Sequence, residues 1–308
     1  MNIIGPDALL FGVDDLEACT QYLTDYGLTP VGDGRFEAMD GTAILIAPKE
    51  DASLPADMGN GCQLRKTIYG VADEATLNAV AEELGKDREV RRLDDGSIES
   101  VDDMGFTLGF QLTIRRAYEA PAEVVHSPGS GAPTRQLNEL GVDPNVKITP
   151  RSLSHLVYFV PDGAKAEAFY RDRLGFRVTD RLVGAGPFMQ PAGTRDHHTL
   201  FMIEAPEFMR GLEHFTFHFG GPTEVMLAGS RMVEKGYQSF WGPGRHQMGS
   251  NWFWYFNSPF GARMEMDADM DLHDEEWVAR EIPISAEISQ AFLFQYREKW
   301  IPGPGGGK

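Results

Sequence analysis

The chain has 308 residues, 42% hydrophobic and 24% charged, with a formal net charge of −18. That is room for two ordinary cores. The acidic balance argues against nucleic acid or an anionic membrane as partner, and no run of about 20 apolar residues is there to span a bilayer. Cys19 and Cys62 alone make no disulfide framework. The opening MNIIGPDALLFGV has neither the basic segment nor the cleavage site of an export signal, so a cytoplasmic protein is expected.

Leu9–Val13 reads as a strand and Asp15–Tyr26 as an amphipathic helix ending at Gly27, with short strands near Arg35–Ala38 and Ala43–Ala47. The pattern returns at Leu64–Val71, with helix Glu74–Leu84 closed by Gly85 and strands near Glu89–Arg92, Ile98–Asp102 and Phe106–Leu112. A third copy opens with Leu153–Val160 and helix Ala164–Leu174, ended by Gly175. The segment GAGPFMQPAG that follows reads as a loop. The fourth copy opens with Leu212–Phe219 and helix Thr223–Lys235, ended by Gly236, and its last strands are Trp252–Asn257 and Ala262–Asp267. A glycine after each helix predicts a left-handed stop each time. The repeat predicts an α+β fold of four βαβββ modules, paired into domains at 1–112 and 151–270. Residues 113–150, with SPGSGAP, read as a linker. Residues 271–308 read as an extension, acidic at first, then an amphipathic helix around Ala286–Lys299. Its Phe292, Phe294, Tyr296 and Trp300 need a surface on this domain or on a sister subunit, and the terminal PGPGGGK should be disordered.

Reactive residues gather in the second half, where six of the eight histidines lie between His155 and His246. Superposing the modules on their first strands sets His155 against Ala8, His214 against Lys66 and Glu265 against Gly109. The first domain is therefore expected to be metal-free and structural. Two imidazoles and one carboxylate are the ligand types of a facial triad, which suits non-haem Fe(II) used for oxygen chemistry. Each imidazole should give its other N–H to an acceptor. Strand alternation puts His198, Leu200, Met202 and Glu204 on the pocket face and His197 outside. His218 reads as a buried structural histidine, Arg263 as an ion-pair partner, and Trp252 and Trp254 as packing residues. Arg245, beside His246, is a candidate for an anionic substituent.

AEAFYRDRLGFRV, after the strand HLVYFV, resembles the vicinal oxygen chelate superfamily, and LEACTQYLTDYGLTPV after LLFGV is a fainter version of the same signature. In that superfamily paired βαβββ modules curl into half-open barrels that hold a metal. Four modules in two domains is the architecture of its type I extradiol dioxygenases. His198 with Thr199 and Leu200 is similar to the context of their distal acid/base histidine. GPGRHQMGSNWFWYF resembles their GPxRH loop, followed by a strand whose tyrosine lies ten residues before the glutamate ligand. The resemblance implies His155, His214 and Glu265 as ligands of Fe(II), with His198 as general acid and His246 and Tyr255 hydrogen-bonded to the ligated substrate oxygen. It implies a small catecholic substrate and O2, both oxygen atoms entering a ring-opened product, and a homo-oligomeric enzyme. Iron against manganese, and the catechol itself, stay open. So do a glyoxalase I-like lyase or isomerase with Glu204 as a fourth ligand, a hydroxyphenylpyruvate-dioxygenase-like oxygenase and a non-catalytic binding module; His246 and Tyr255 favour the extradiol reading.

Overall fold

Strands whose buried side chains alternate with half-exposed ones need a partner layer, and in this computed structural model they close into two mixed sheets over one continuous core. The structure describes residues 1–126, 129, 131 and 133–294. The first module is β1 (Ile3–Val13), α1 (Leu16–Tyr26), β2 (Thr29–Gly32), β3 (Arg35–Glu37) and β4 (Ala43–Pro48). The second is β5 (Leu64–Val71), α2 (Glu74–Leu84), β6 (Arg91–Arg92), β7 (Ile98–Val101) and β8 (Thr107–Leu112). Their sheet has the order β2-β3-β4-β1-β5-β8-β7-β6, so the modules join where β1 runs antiparallel to β5.

The third module is β9 (Ser152–Val160), α3 (Gly163–Ala168), β10 (Arg177–Val183), β11 (Gly186–Gln190) and β12 (Leu200–Glu204). The fourth is β13 (Gly211–His218), α4 (Pro222–Glu234), β14 (Ser239–Arg245), β15 (Trp252–Asn257) and β16 (Arg263–Ala268). They join through antiparallel β9 and β13. The C-terminal segment adds β17 (Arg280–Pro283) beside β10 and, after the short α5 (Ala286–Ser289), β18 (Phe292–Leu293) beside β14. Both outer edges of the second sheet are thereby covered. Among the described residues no helix is long and apolar enough to cross a membrane.

Local chemistry sets the helix limits. Asp15, Asp73 and Asp162 each accept the N–H three residues on, a cap worth about 1 kcal/mol. Gly27, at φ 112°, makes the left-handed turn that ends α1. Gly85 does not: its φ is −64°, and the chain winds on through Arg88, whose N–H bonds to the Leu84 carbonyl. The third helix departs from expectation too. It is α-helical only to Ala168 and continues as a π-helix over Phe169–Arg173, where consecutive Phe169 and Tyr170 are both buried.

Two further readings are corrected. GAGPFMQPAG contains strand β11, whose flanking Gly and Pro residues look like loop punctuation. Its Met189 enters the main core, while Phe188 belongs to a smaller apolar cluster. Among its described residues the extension is helical only at α5, because the open edge of β14 offers backbone partners: Ala291 N–H bonds to the Arg245 carbonyl and Phe294 N–H to that of Pro243, each at 2.7 Å. Phe292 and Phe294 then pack on Trp252. Tyr296, Trp300 and the PGPGGGK tail lie outside the described residues.

The two sheets share their interior. Phe106 stacks on Tyr158 with centroids 3.9 Å apart, and Thr67 Oγ1 lies 2.6 Å from Tyr158 Oη. Tyr26 Oη donates to the Glu265 carbonyl at 2.5 Å, so α1 props β16 from behind. Tyr26→Phe removes one buried hydrogen bond and should cost about 1–2 kcal/mol. Chemical denaturation measures this; an unchanged midpoint would mean that the contact does not support the second sheet.

Candidate metal centre and active site

Three neighbouring strands meet at one level. Thr216 on β13 is paired with His155 on β9 to one side and with Glu265 on β16 to the other, and His214 stands two residues before it on the same face. The matching level of the first sheet reads Ala8, Ile68 and Gly109, with Lys66 two residues before Ile68. Lys66 is bridged to Glu99 at 2.9 Å, and none of these positions offers a ligand set.

The ligand atoms of His155, His214 and Glu265 all lie within 4.8 Å of one another. Glu265 Oε2 is 3.0 Å from His155 Nε2 and 3.6 Å from His214 Nε2. Ligands at about 2.1 Å on adjacent corners of one coordination sphere stand about 3 Å apart, so the set fits a single ion. A second observation agrees: His214 Nε2 and Glu265 Oε1 are buried without a hydrogen-bond partner, an arrangement that costs free energy unless something else binds them.

Each imidazole is held through its other nitrogen. Nδ1 of His155 lies 2.9 Å from Ser154 Oγ. Nδ1 of His214 meets the Glu213 carboxylate, which is also bridged to Arg263. Alternation would turn Glu213 away from His214. The register of β13 on β9 steps from Leu212↔Tyr158 to His214↔Val157, so Glu213 is the extra residue of a β-bulge and turns to the same side. Sequence reasoning missed Glu213 for that reason. Thr216 shared the parity of His214 and was open to being found; its Oγ1 donates to Glu265 Oε2 at 2.5 Å.

Burial would raise the Glu265 carboxyl, but His155 and His246 hold it well below the usual carboxylate range. Burial lowers His155, which leaves it in the neutral form a ligand needs. Burial also works against charge on His214, yet Glu213 outweighs it and raises the group. His218 sits away from the ligands; Asp267 and Asp196 overcome its burial and push it up to about 10, which makes it an ion-pair histidine.

His155, His198, His214, His246 and Tyr255 border one cavity of about 290 Å³, and Glu265 is wholly buried. The His198 ring is 4.3 Å from that of His155. His246 Nε2 is 3.1 Å from Tyr255 Oη and 3.5 Å from Glu265 Oε1, while its Nδ1 bonds to the Ser289 carbonyl at 2.7 Å. The alternation argument for His198 fails even though the residue reaches the cavity. β12 begins only at Leu200, and it is Phe201 and Ile203 that line the cavity, while Leu200 and Met202 enter the main core. His197 is not outside but wholly buried. Glu204 is exposed and accepts the Gly163 N–H at 3.1 Å, so it supplies no fourth ligand. Arg245 is paired with Asp269 at 2.7 Å and does not border the cavity. Trp254 packs against α4, its ring filling the space a side chain on Gly229 would take.

Residues 152–266 match the model of the Glyoxalase/Bleomycin resistance protein/Dioxygenase superfamily. This segment belongs to that superfamily. Metapyrocatechase 2 of Cupriavidus necator is 36% identical over 155 residues, 50% of this chain and 46% of that protein, so the match spans about half the relative's length. Biphenyl-2,3-diol 1,2-dioxygenase of Paraburkholderia xenovorans strain LB400 is 27% identical over 288 residues, 87% of this chain and 88% of that one. A Mn(II)-bound glyoxalase from Novosphingobium aromaticivorans has the same fold, with a TM-score of 0.73 at 18% identity over 94% of this chain and 91% of its own. The four modules thus form the two-domain vicinal oxygen chelate fold.

Glu265→Ala removes the carboxylate and its charge from the candidate ligand set, and should abolish most metal binding. Glu213→Gln should weaken it by about 10–100-fold through His214. Metal analysis after dialysis reads both, and full retention in Glu265→Ala would reject the ligand set.

Proposed function

We propose that the protein is an Fe(II)-dependent extradiol dioxygenase, which opens a catecholic ring with O2. The observation that carries this reading is a three-residue His/His/Glu cluster open to a cavity, with His198 and the His246–Tyr255 pair both bordering it. Bound Fe(II) supplies a template for both catechol oxygens and for O2, and a path for electrons from the ring.

The protein's own groups handle protons. Burial, then the neighbouring histidines, hold His198 well below the usual imidazole range, so it starts neutral and takes up a substrate proton that it later returns. Burial and then Glu265 keep the Tyr255 hydroxyl protonated, so it serves as a hydrogen-bond donor. His246 gives its Nδ1–H to the Ser289 carbonyl, which turns Nε2 toward Tyr255 and Glu265.

The cavity also favours a substrate class. Leu182, Phe188, Phe201, Met248, Ile284 and Ile288 make an apolar wall. Among the described residues Arg263 is the only lysine or arginine lining the cavity, and Glu213 already neutralises it. An unpaired carboxylate would lose its hydration there without a partner. The reading is therefore an uncharged catechol with an apolar aryl or alkyl substituent. The relative named for biphenyl-2,3-diol supports it, since that diol is such a molecule. A cytoplasmic setting is part of the proposal and fits the free thiols of Cys19 and Cys62.

Oxygen uptake by the Fe(II)-loaded protein over a catechol panel tests both parts. Aryl and alkyl catechols should exceed carboxylated ones in kcat/KM by on the order of tenfold or more. A preference for carboxylated catechols removes the substrate class, and no uptake with any catechol removes the function. His198→Phe should keep metal and substrate binding while kcat falls about 10²–10⁴-fold; an unchanged kcat would take the proton-transfer role from His198.

A further inference from the structure

His197 lies in a buried chain of polar groups that the chemistry above does not use. Its Nε2 is 2.8 Å from Asp180 Oδ2, and its Nδ1 is 3.0 Å from Nδ1 of His198. Both His197 and Asp180 are wholly buried. The backbone pins His197 on both sides: its N–H bonds to the Asp271 carbonyl at 2.8 Å, and its carbonyl accepts Thr179 Oγ1 at 2.6 Å. Asp180 in turn accepts the Arg280 backbone N–H at Oδ1, 2.8 Å away, and that residue's guanidinium at both oxygens, with Nη2 on the same Oδ2 that faces His197. Burial would raise Asp180, but His197 and Arg280 hold it below the usual carboxylate range.

Hydrogen-bond direction follows from these contacts. A carboxylate only accepts, so Nε2 of His197 carries its hydrogen. The Arg280 guanidinium already matches the Asp180 charge, so a neutral His197 balances the buried chain and presents a bare Nδ1. Two facing nitrogens at 3.0 Å need one hydrogen between them, and it then sits on His198 Nδ1. Neutral His198 is left with Nε2 bare, the ring nitrogen that His197 leaves free on a residue bordering the cavity.

We propose that His197 and Asp180 are positioning residues that fix the tautomer of His198 and present its unprotonated Nε2 to the substrate. The catalytic part of this rests on the dioxygenase reading; the tautomer does not. Asp180→Asn combined with Arg280→Ala reverses the logic. With the guanidinium gone from Oδ2, the backbone N–H of position 280 keeps the amide oxygen at the Oδ1 position, so the NH2 group faces His197. His197 must then accept at Nε2 and donate from Nδ1. That forces the hydrogen of His198 onto Nε2, facing the cavity.

The test uses the full chain. With ¹⁵N-histidine and Zn(II) in place of iron, nitrogen NMR should show His198 protonated at Nδ1 in the unaltered protein and at Nε2 in the Asp180→Asn, Arg280→Ala double variant. Loaded with Fe(II), that double variant should lose about 10²-fold or more in kcat, with metal content and KM for the catechol within about twofold. His197→Phe should lose as much. His197→Asn, whose amide oxygen can accept where Nδ1 did, should recover most of that loss. Nε2–H on His198 in the unaltered protein would overturn the proposal, as would equal losses in His197→Asn and His197→Phe. If the unaltered iron-loaded protein opened no catechol, the functional reading would fall, and the NMR result alone would decide the tautomer.

Discussion

The register of three strands is the constraint on which the site depends. β13 lies between β9 and β16, and Thr216 faces His155 on one neighbour and Glu265 on the other. A slip of one residue in either pairing would turn a whole row of side chains to the opposite face and scatter the ligands. The register is secured from both faces of the sheet. Phe215, Phe217, Met264 and Met266 anchor the opposite face in the core, and Tyr26 at the end of α1 fixes the Glu265 backbone. The first two modules carry Ala8, Ile68 and Gly109 at the same level and hold no ligand set there. Their part is mechanical: they give the second sheet an interior to pack on.

Placing ionisable groups at that level is costly unless each is satisfied. The structure meets this by giving each histidine a dedicated partner for the nitrogen that does not face the cavity. Ser154 serves His155, Glu213 serves His214, His197 serves His198, and the Ser289 carbonyl serves His246. The nitrogens left over converge on the cavity and on Glu265. Rigidity and chemical availability therefore come from the same set of hydrogen bonds. Each partner orients a ring and decides which nitrogen is free to act.

How much of this was legible depended on how regular the backbone is. The repeat, most strand limits and the meeting of His155, His214 and Glu265 at one level follow from the module pattern, and β5, α2 and β15 lie where that pattern put them. Alternation fails where the chain leaves the ladder. Glu213 is turned by a bulge, and His197 and His198 precede β12, so their parity says nothing about the face they reach. His198 was found through its resemblance to a known context, not through geometry. Asp180 carries no local signal: it is one acidic residue on a strand, and only the fold brings it to His197, 17 positions away.

The extension past the fourth module was the least legible part, because its apolar residues fit a helical pattern as well as a strand. In isolation the helix is a fair reading. Beside β14, whose Pro243 and Arg245 carbonyls point outward, backbone pairing prevails. The consequence reaches the site. This segment brings Ile284 and Ile288 to the apolar wall, the Ser289 carbonyl to His246 and Arg280 to Asp180. Arg280 reaches His198 through Asp180 and His197, and the Ser289 carbonyl bonds to His246 directly. A segment that covers both edges of the sheet thus also holds two histidines of the cavity in place, so edge pairing and cavity geometry are set by one stretch of chain.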